Sequence, residues 1–226
     1  MRVLITGADR ALGRLAARAF REAYDLRLTG TAAEPPADLG GIDYLPADLR
    51  EPGVVAPLVA GCDAVLHLAP YDLPADAEAD LLDHAARGTF VLLHAALAAG
   101  VRRVVLASRL EVMAAYPANL VVTPAWAPRP EATAAALAPF VAELTLREFV
   151  RAEEIVGVCL RFGPLDGTAP GTTPADAIAA LDRALRMELG GRKYRWWLYH
   201  IDSTGRFPLD EASRAPLEFQ PTAGGN

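Results

Sequence analysis

The sequence predicts an α/β protein with a doubly wound, mostly parallel sheet that carries helices on both faces. Short runs of β-branched and apolar residues alternate with longer alanine-rich stretches, a pattern typical of strands buried on both faces and joined by crossover helices. A glycine-containing turn separates the first strand from the first helix. Hydrophobic residues make up 52% of the 226 residues, which is enough for a sizeable core.

Each element follows from a local pattern. Apolar runs of four to six residues predict strands at residues 2–6, 25–29, 42–45, 64–68, 103–107 and 156–161. Helical periodicity predicts helices at residues 11–22, 54–59, 75–99 and 140–151, and Gly100 stands where a helix C-cap belongs. Residues 1–163 are therefore expected to form the main domain.

The remaining residues, 164–226, are expected to form a small C-terminal lid over the sheet edge. This segment is rich in glycine and proline and predicts a helix at 174–189, a strand at 195–201 and a short last helix. It is too small to be expected to fold independently of the main domain.

Composition and charge exclude several classes of function. The net charge is −6 and no Lys/Arg block occurs, so nucleic acid and anionic membranes are not expected partners. No apolar run is long enough to span a membrane and no leader precedes the first strand, so we expect a cytoplasmic protein. Cys62 and Cys159 are isolated in apolar settings, which indicates free thiols, and no metal-ligand spacing occurs.

The turn after the first strand, TGADRALGR at residues 6–14, has the composition of a phosphate-binding loop. Gly7 permits a tight turn, and Gly13 permits the helix to pack closely on the sheet. A loop of this kind points backbone N–H groups at a phosphate. An ordinary strand–helix turn is the alternative, and the position in the first unit of the chain favours the phosphate-binding interpretation.

Several segments together resemble the extended branch of the short-chain dehydrogenase/reductase superfamily, whose members are Rossmann-type NAD(P)-dependent epimerases, dehydratases and uronate-dehydrogenase-like enzymes. They are DLRE at 48–51, VLHLAP at 65–70, RGTFVLLHAALAAGVRRVVLAS at 87–108 and LRFGP at 160–164. The loop itself departs from TGxxGxxG at Arg10 and from TGxxxGxG at Ala11. The resemblance implies a set of cofactor-binding residues: Gly7, Asp9, Arg10, Ala11, Leu12, Gly13, Asp48, Leu49, Leu68, Ala69, Pro70 and Ser108.

The choice of cofactor stays open between NADP and NAD. An NAD enzyme of this family usually ends its second strand on Asp, whereas this chain has Gly30 there and Glu34 only further on. Without a strand-end carboxylate to repel a 2′-phosphate, and with Arg10 nearby, NADP is as well supported as NAD. Arg10 also opposes close approach of the backbone to a pyrophosphate, so binding itself stays open.

The proton-transfer residues that the resemblance implies are missing. The family uses a tyrosine, a lysine four residues later on the same helix face, and a serine or threonine after the fifth strand. This chain has a single lysine, Lys193, and no Tyr-x-x-x-Lys anywhere. Counting from LRFGP puts Ala135 and Pro139 at the tyrosine and lysine positions, and the serine position falls on Arg109.

Three residues near the fifth strand are candidates to replace the missing groups. Tyr116 could donate a proton, Arg109 could bind an anion, and Ser108 lies one residue before the expected serine position. Packing for Tyr116 and an ion pair for Arg109 are the alternatives. The four histidines read as structural residues: His67, His84, His94 and His200.

Three hypotheses follow for function. The preferred one is a non-catalytic or diverged protein that binds a dinucleotide or small metabolite. The second is an active NAD(P)-dependent oxidoreductase or epimerase that uses unconventional residues, and the third is a structural protein without a working nucleotide site. The resemblance also implies a homodimer formed by the two long helices. Because proline is favoured in the first turn, the second of these helices is expected to begin close to Pro139.

Overall fold

A computed structural model describes residues 1–73, 78–152, 155–166, 168, 171–188, 195–208 and 217–221. Seven strands form a single parallel sheet in the order β3-β2-β1-β4-β5-β6-β7. This confirms the predicted fold class. The strands are β1 (Arg2–Thr6), β2 (Asp25–Thr29), β3 (Asp43–Tyr44), β4 (Ala64–His67), β5 (Arg103–Arg109), β6 (Val156–Phe162) and β7 (Trp196–Ile201).

Helices cover both faces of the sheet and bury two separate apolar cores. One core contains the buried side of α1 and α6, and the other contains α2, α4 and α5. The helices are α1 (Ala11–Phe20), α2 (Pro52–Val59), α3 (Glu78–Asp83), α4 (Thr89–Ala98), α5 (Ala134–Ala152) and α6 (Pro174–Arg186). None of the helices in the described ranges has the length and apolar character needed to cross a membrane.

A π-helical segment, His84–Gly88, joins α3 to α4. The helix predicted at 75–99 is therefore confirmed over 78–98 with this one irregularity, and residues 74–77 lie outside the described residues. Gly88 brings the segment against the β3–α2 connection, because a Cβ there would lie 3.4 Å from the Leu49 Cβ. Single π-helical turns often mark functional sites.

The C-terminal segment continues the sheet. Strand β7 pairs with β6 in parallel, with Phe162 opposite Ile201, and α6 contributes Ala177 and Leu181 to the core beside α1. The last predicted helix falls in a region where residues 209–216 lie outside the described residues. The division of the chain at residue 163 stays a prediction.

The start of α5 corrects the sequence prediction. The helix begins at Ala134, so Pro139 is its sixth residue and not part of its first turn. Thr133 starts the helix: its carbonyl oxygen accepts from the Leu137 N–H at 3.0 Å, and its hydroxyl accepts from the Ala136 N–H at 3.3 Å. Burial of Ala134 and Ala138 against α3 adds tertiary packing that a local proline rule does not include.

Candidate functional site

A partly open cavity lies at the carboxyl ends of β1, β2 and β4. Ligands of open α/β sheets bind at this edge, where the strand order reverses around the first strand. The lining residues are Gly7, Asp9, Arg10, Thr29, Gly30, Thr31, Ala47, Leu49, His67, Ala69, Pro70, Asp72, Leu73 and His84. Six of the twelve predicted cofactor-binding residues lie in this lining.

The glycine loop has the close approaches expected of a phosphate-binding turn. Gly7 has a φ of +70°, and a Cβ there would lie 2.9 Å from the Ala69 Cα. A Cβ on Gly13 would lie 2.0 Å from the Gly7 carbonyl oxygen, so only glycine lets α1 pack this closely on the turn. Side chains are excluded at both positions, and the loop backbone therefore borders the cavity directly.

Arg10 is the N-cap of α1 and lines the cavity. Its backbone N–H donates to the Gly7 carbonyl oxygen at 3.0 Å, and its side chain is half-buried. Ala11 is exposed and Leu12 is buried in the core, and the cavity lining includes neither of them. The loop thus offers its glycine backbone, the Asp9 carboxylate and the Arg10 guanidinium to a ligand.

Asp48, one of the predicted cofactor-binding residues, is held by Arg50. The Arg50 guanidinium donates to Oδ2 at 2.7 Å and to Oδ1 at 3.0 Å, and it lowers the pKa of Asp48. The same guanidinium reaches Asp80 and Asp83 of α3. This network fixes the connection between β3 and α2, which carries Leu49. Leu49 lines the cavity, and Asp48 is not among the lining residues.

His67 lies at the base of the cavity and is held by two threonines. Its Nδ1 is 2.9 Å from the Thr6 hydroxyl and its Nε2 is 2.9 Å from the Thr89 hydroxyl. The Thr6 oxygen already accepts from the Leu68 and Ala69 N–H groups, so its own proton goes to Nδ1 and Nε2 carries the ring proton. Burial lowers the pKa of His67 to about 3, which makes it a neutral structural residue.

Replacing His67 with glutamine is expected to weaken the pH dependence of stability. The folded-state pKa lies below the unfolded value near 6.5, so the unfolded chain binds the proton first and stability falls as pH drops from about 6.5 towards 3. Between pH 7 and pH 5 the wild type should lose about 2 kcal/mol more than His67→Gln. Urea unfolding at both pH values measures this difference, and equal losses in the two proteins would refute it.

The predicted proton-transfer positions hold no titratable group. Ala135 is exposed on α5 and Pro139 is buried in it. Ala134 and Ala138, on the same stretch, pack against Leu81 and Ala85 of the α3 region. Helix α5 also contacts the turn Ala69–Tyr71, two of whose residues line the cavity, so α5 packs beside the site.

Ser108 is fully buried and already has a partner. Its hydroxyl donates to Glu143 Oε1 at 2.5 Å. Glu143 in turn accepts two hydrogen bonds from the Arg161 guanidinium, at 2.6 Å and 2.8 Å. The serine therefore ties β5 to α5 and β6, and it does not line the cavity.

Arg109 and Tyr116 both have protein partners. The Arg109 guanidinium pairs with the Glu111 carboxylate at 2.9 Å and lies 5.7 Å from the Tyr71 ring centroid. The Tyr116 hydroxyl donates to the Ala127 carbonyl oxygen at 2.8 Å, and its ring packs on Trp126. Neither residue lines the cavity, and packing and ion pairing account for both positions.

Sequence reasoning missed three polar residues of the cavity lining, Thr29, Thr31 and Asp72. The Thr29 hydroxyl is buried, lines the cavity and has no hydrogen-bond partner among the described residues. Its position at the carboxyl end of β2 was the available signal, because strand ends of parallel sheets meet at the ligand edge. Tyr71, which lies under the Arg109 guanidinium, is also absent from the predicted site residues. Its hydroxyl donates to the Gly163 carbonyl oxygen at 2.8 Å.

The sequence profile of the NAD dependent epimerase/dehydratase family matches residues 3–202. The chain belongs to this family. The family resemblance drawn from the sequence is thereby confirmed.

Relatives of this family member include uronate dehydrogenases. The enzyme of Pseudomonas syringae pv. tomato is 33% identical over 119 residues, which are 52% of this chain and 43% of that protein. The match thus spans less than half the length of this curated relative. A uronate dehydrogenase from Agrobacterium tumefaciens, in which one tyrosine is mutated to alanine and NAD is bound, shares the fold with a TM-score of 0.81 and 22% identity, covering 98% of this chain and 84% of that one.

A second solved structure has a higher sequence identity. A short-chain dehydrogenase/reductase superfamily protein from Agrobacterium tumefaciens with bound NAD is 30% identical, with a TM-score of 0.61. The alignment covers 72% of this chain and 49% of that one.

Proposed function

We propose that this family member binds a nicotinamide dinucleotide in the cavity at the β1–α1 loop and does not use the family's Tyr–Lys proton relay. The loop backbone at Gly7 would hold the pyrophosphate and Leu49 would pack against the adenine. A bound dinucleotide would supply a hydride donor or acceptor. Family membership and the two NAD-bound relatives support this assignment.

The single observation that carries the binding proposal is the cradle at Gly7. Gly7 has a positive φ, which only glycine adopts easily, and a Cβ there would lie 2.9 Å from the Ala69 Cα. A side chain is therefore excluded, and the loop backbone borders the cavity. The buried Thr29 hydroxyl without a partner adds a polar group that a ligand would satisfy. Both features fit a bound dinucleotide.

The non-catalytic part of the proposal rests on Ala135, Pro139 and the occupied Ser108 hydroxyl. Alanine and proline cannot transfer a proton, and the serine proton is committed to the Glu143 carboxylate. The relative with tyrosine mutated to alanine still holds NAD, so alanine in place of a tyrosine is compatible with dinucleotide binding in this fold. A sensor or partner subunit that responds to the dinucleotide is the function that fits these residues.

Calorimetric titration tests this proposal. The wild-type chain should bind at least one of NAD, NADH, NADP and NADPH, and it should give no change in reduced-nicotinamide absorbance with glucuronate or UDP-glucuronate. Absence of binding heat with all four would refute dinucleotide binding. Sustained turnover would refute the non-catalytic assignment while leaving binding intact.

An active oxidoreductase on a sugar acid is the second candidate, favoured by the uronate dehydrogenase relatives. Arg109, on the strand end beside Tyr71, is the cation that could bind a substrate carboxylate in exchange for Glu111. If turnover is found, Arg109→Ala should raise KM for the acid, whereas Tyr116→Phe should not. An unchanged KM in both variants would assign binding of the acid to other residues.

A homodimer through α4 and α5 belongs to the same proposal. Phe90 is exposed on α4 and makes an edge contact with the Phe149 ring at a centroid distance of 5.6 Å, so the two helices present a joint apolar face. An exposed aromatic beside a second aromatic is typical of interface residues. Light scattering of the purified chain measures the assembly state, and a monomer mass would refute this part.

A further inference from the structure

The carboxylate of Asp9 occupies the space that a side chain at position 30 would take. A Cβ built on Gly30, at the end of β2, would lie 2.4 Å from both Cγ and Oδ1 of Asp9. The strand end lacks its own carboxylate, and the glycine loop supplies one at the same place. Gly30 and Asp9 are therefore complementary, because any larger residue at 30 would displace Asp9.

Three hydrogen bonds fix this carboxylate through one oxygen. Oδ2 accepts from the Thr31 N–H at 2.9 Å, the Thr31 hydroxyl at 3.0 Å and the Ala32 N–H at 3.0 Å. Oδ1 has no hydrogen-bond partner in the part of the chain that the structure describes. Since Asp9 lines the cavity, one oxygen anchors the side chain and the other is available to a ligand.

A second polar group lines the same cavity. The Thr29 hydroxyl is only 1% exposed, lines the same cavity and has no partner among the described residues. Leaving a buried hydroxyl unpaired is unfavourable, and a ligand hydroxyl would satisfy it. A carboxylate oxygen and a hydroxyl at one strand end match a ligand that presents neighbouring hydroxyl groups.

We infer that Asp9 recognises the adenosine ribose hydroxyls and selects NAD(H) over NADP(H), an inference that rests on the proposed dinucleotide binding. A carboxylate accepts hydrogen bonds from ribose hydroxyls, whereas a 2′-phosphate removes a donor and places negative charge against it. The structure thus supplies the carboxylate that the sequence of β2 lacks. It reverses the argument that the absence of a strand-end acid leaves NADP equal to NAD.

Arg10 is the competing group, because its guanidinium lines the same cavity and would favour a 2′-phosphate. Asp9 is held by three hydrogen bonds beside Gly30, whereas the Arg10 side chain has no ion pair or hydrogen bond within the described residues. Ordering a long side chain that has no partner costs conformational entropy that the anchored carboxylate does not lose on binding. Asp9 therefore sets the preference.

The test is a titration of NAD and NADP with the wild type, Asp9→Ala, Asp9→Asn and Arg10→Ala, with thermal unfolding as the check on folding. The wild type should bind NAD at least tenfold more tightly than NADP. Asp9→Ala should weaken NAD binding by about tenfold to a hundredfold, the effect of losing charge-assisted hydrogen bonds. Asp9→Asn keeps an oxygen for Thr31 and Ala32 but removes the charge, so it should chiefly tighten NADP binding.

A double variant gives the sharpest result. Asp9→Ala combined with Gly30→Asp moves the carboxylate from the loop to the strand end, and it should restore the preference for NAD that Asp9→Ala loses. Two results would overturn the role of Asp9 while leaving dinucleotide binding intact. One is a ratio of NAD to NADP affinity that stays unchanged in Asp9→Ala and Asp9→Asn. The other is a ratio that changes only in Arg10→Ala. No binding of either dinucleotide by the wild type would overturn the proposed function itself.

Discussion

Replacing Glu143 with alanine is expected to lower the free energy of unfolding by about 3–5 kcal/mol. Glu143 and Arg161 form a bidentate ion pair whose side chains are 5% and 1% exposed. Removing the carboxylate leaves the Arg161 guanidinium buried without its counter-charge and the Ser108 hydroxyl without its acceptor. Uncompensated buried charge is among the largest single costs in a folded protein.

Urea unfolding of three proteins isolates this effect. Glu148→Ala is the matched control, because Glu148 lies on the same helix in an exposed pair with Arg151, and it should change stability little. Glu143→Leu combined with Arg161→Met should recover much of the loss, since apolar replacement of a whole buried pair is often neutral. A Glu143→Ala protein as stable as the Glu148→Ala protein would contradict the structural role assigned to the pair.

Most of the sheet was predictable because strand signals are local. The bounds of β1 and β2 agree with their apolar runs, and β6 extends the prediction by one residue. Strand β5 runs on through Ser108 and Arg109, which pair in register with Arg161 and Phe162. Polar residues at a strand end carry little strand signal in a sequence, and only the neighbouring strand defines their state.

The start of α5 was mispredicted for a similar reason. Proline at the front of a helix is a local rule, whereas Ala134 and Ala138 are placed by packing against α3, more than 50 positions earlier in the chain. The small side chains let the two helices approach closely. Proline at 139 gives the Ala135 carbonyl no N–H partner, and Ala135 is an exposed residue, so water can solvate this carbonyl. Tertiary burial thus outweighed the cost of proline inside the helix.

The glycine loop was recognisable from the sequence, but the chemistry of its side chains was not. Gly7 and Gly13 have the spacing of a phosphate-binding turn, and that pattern is confined to a few residues. The contact of Asp9 with Thr31 and Ala32 spans more than 20 residues, and Gly30 by itself indicates only a missing carboxylate. The Glu143–Arg161 pair gave no signal beyond two charged residues in apolar surroundings.

Replacing Gly13 with alanine is expected to destabilise the protein by about 1–3 kcal/mol and to abolish measurable dinucleotide binding. The added Cβ would lie 2.0 Å from the Gly7 carbonyl oxygen and 2.9 Å from the Ala8 Cα, so backbone must move. Helix α1 cannot shift freely, because Leu12, Ala16 and Phe20 are buried in the core. The strain therefore displaces the turn at Gly7, whose backbone borders the cavity.

Gly53→Ala is the matched control for this change. Gly53 lies near the start of α2, and a Cβ there would meet no heavy atom within 4 Å. The same substitution should therefore stabilise the chain by about 0.4–1 kcal/mol through the unfolded state and leave dinucleotide binding unchanged. Thermal unfolding and calorimetric titration of both variants compare one added methyl group in two places. If Gly13→Ala folds as stably as Gly53→Ala and still binds, the close approach of α1 to the loop is not what shapes the cavity.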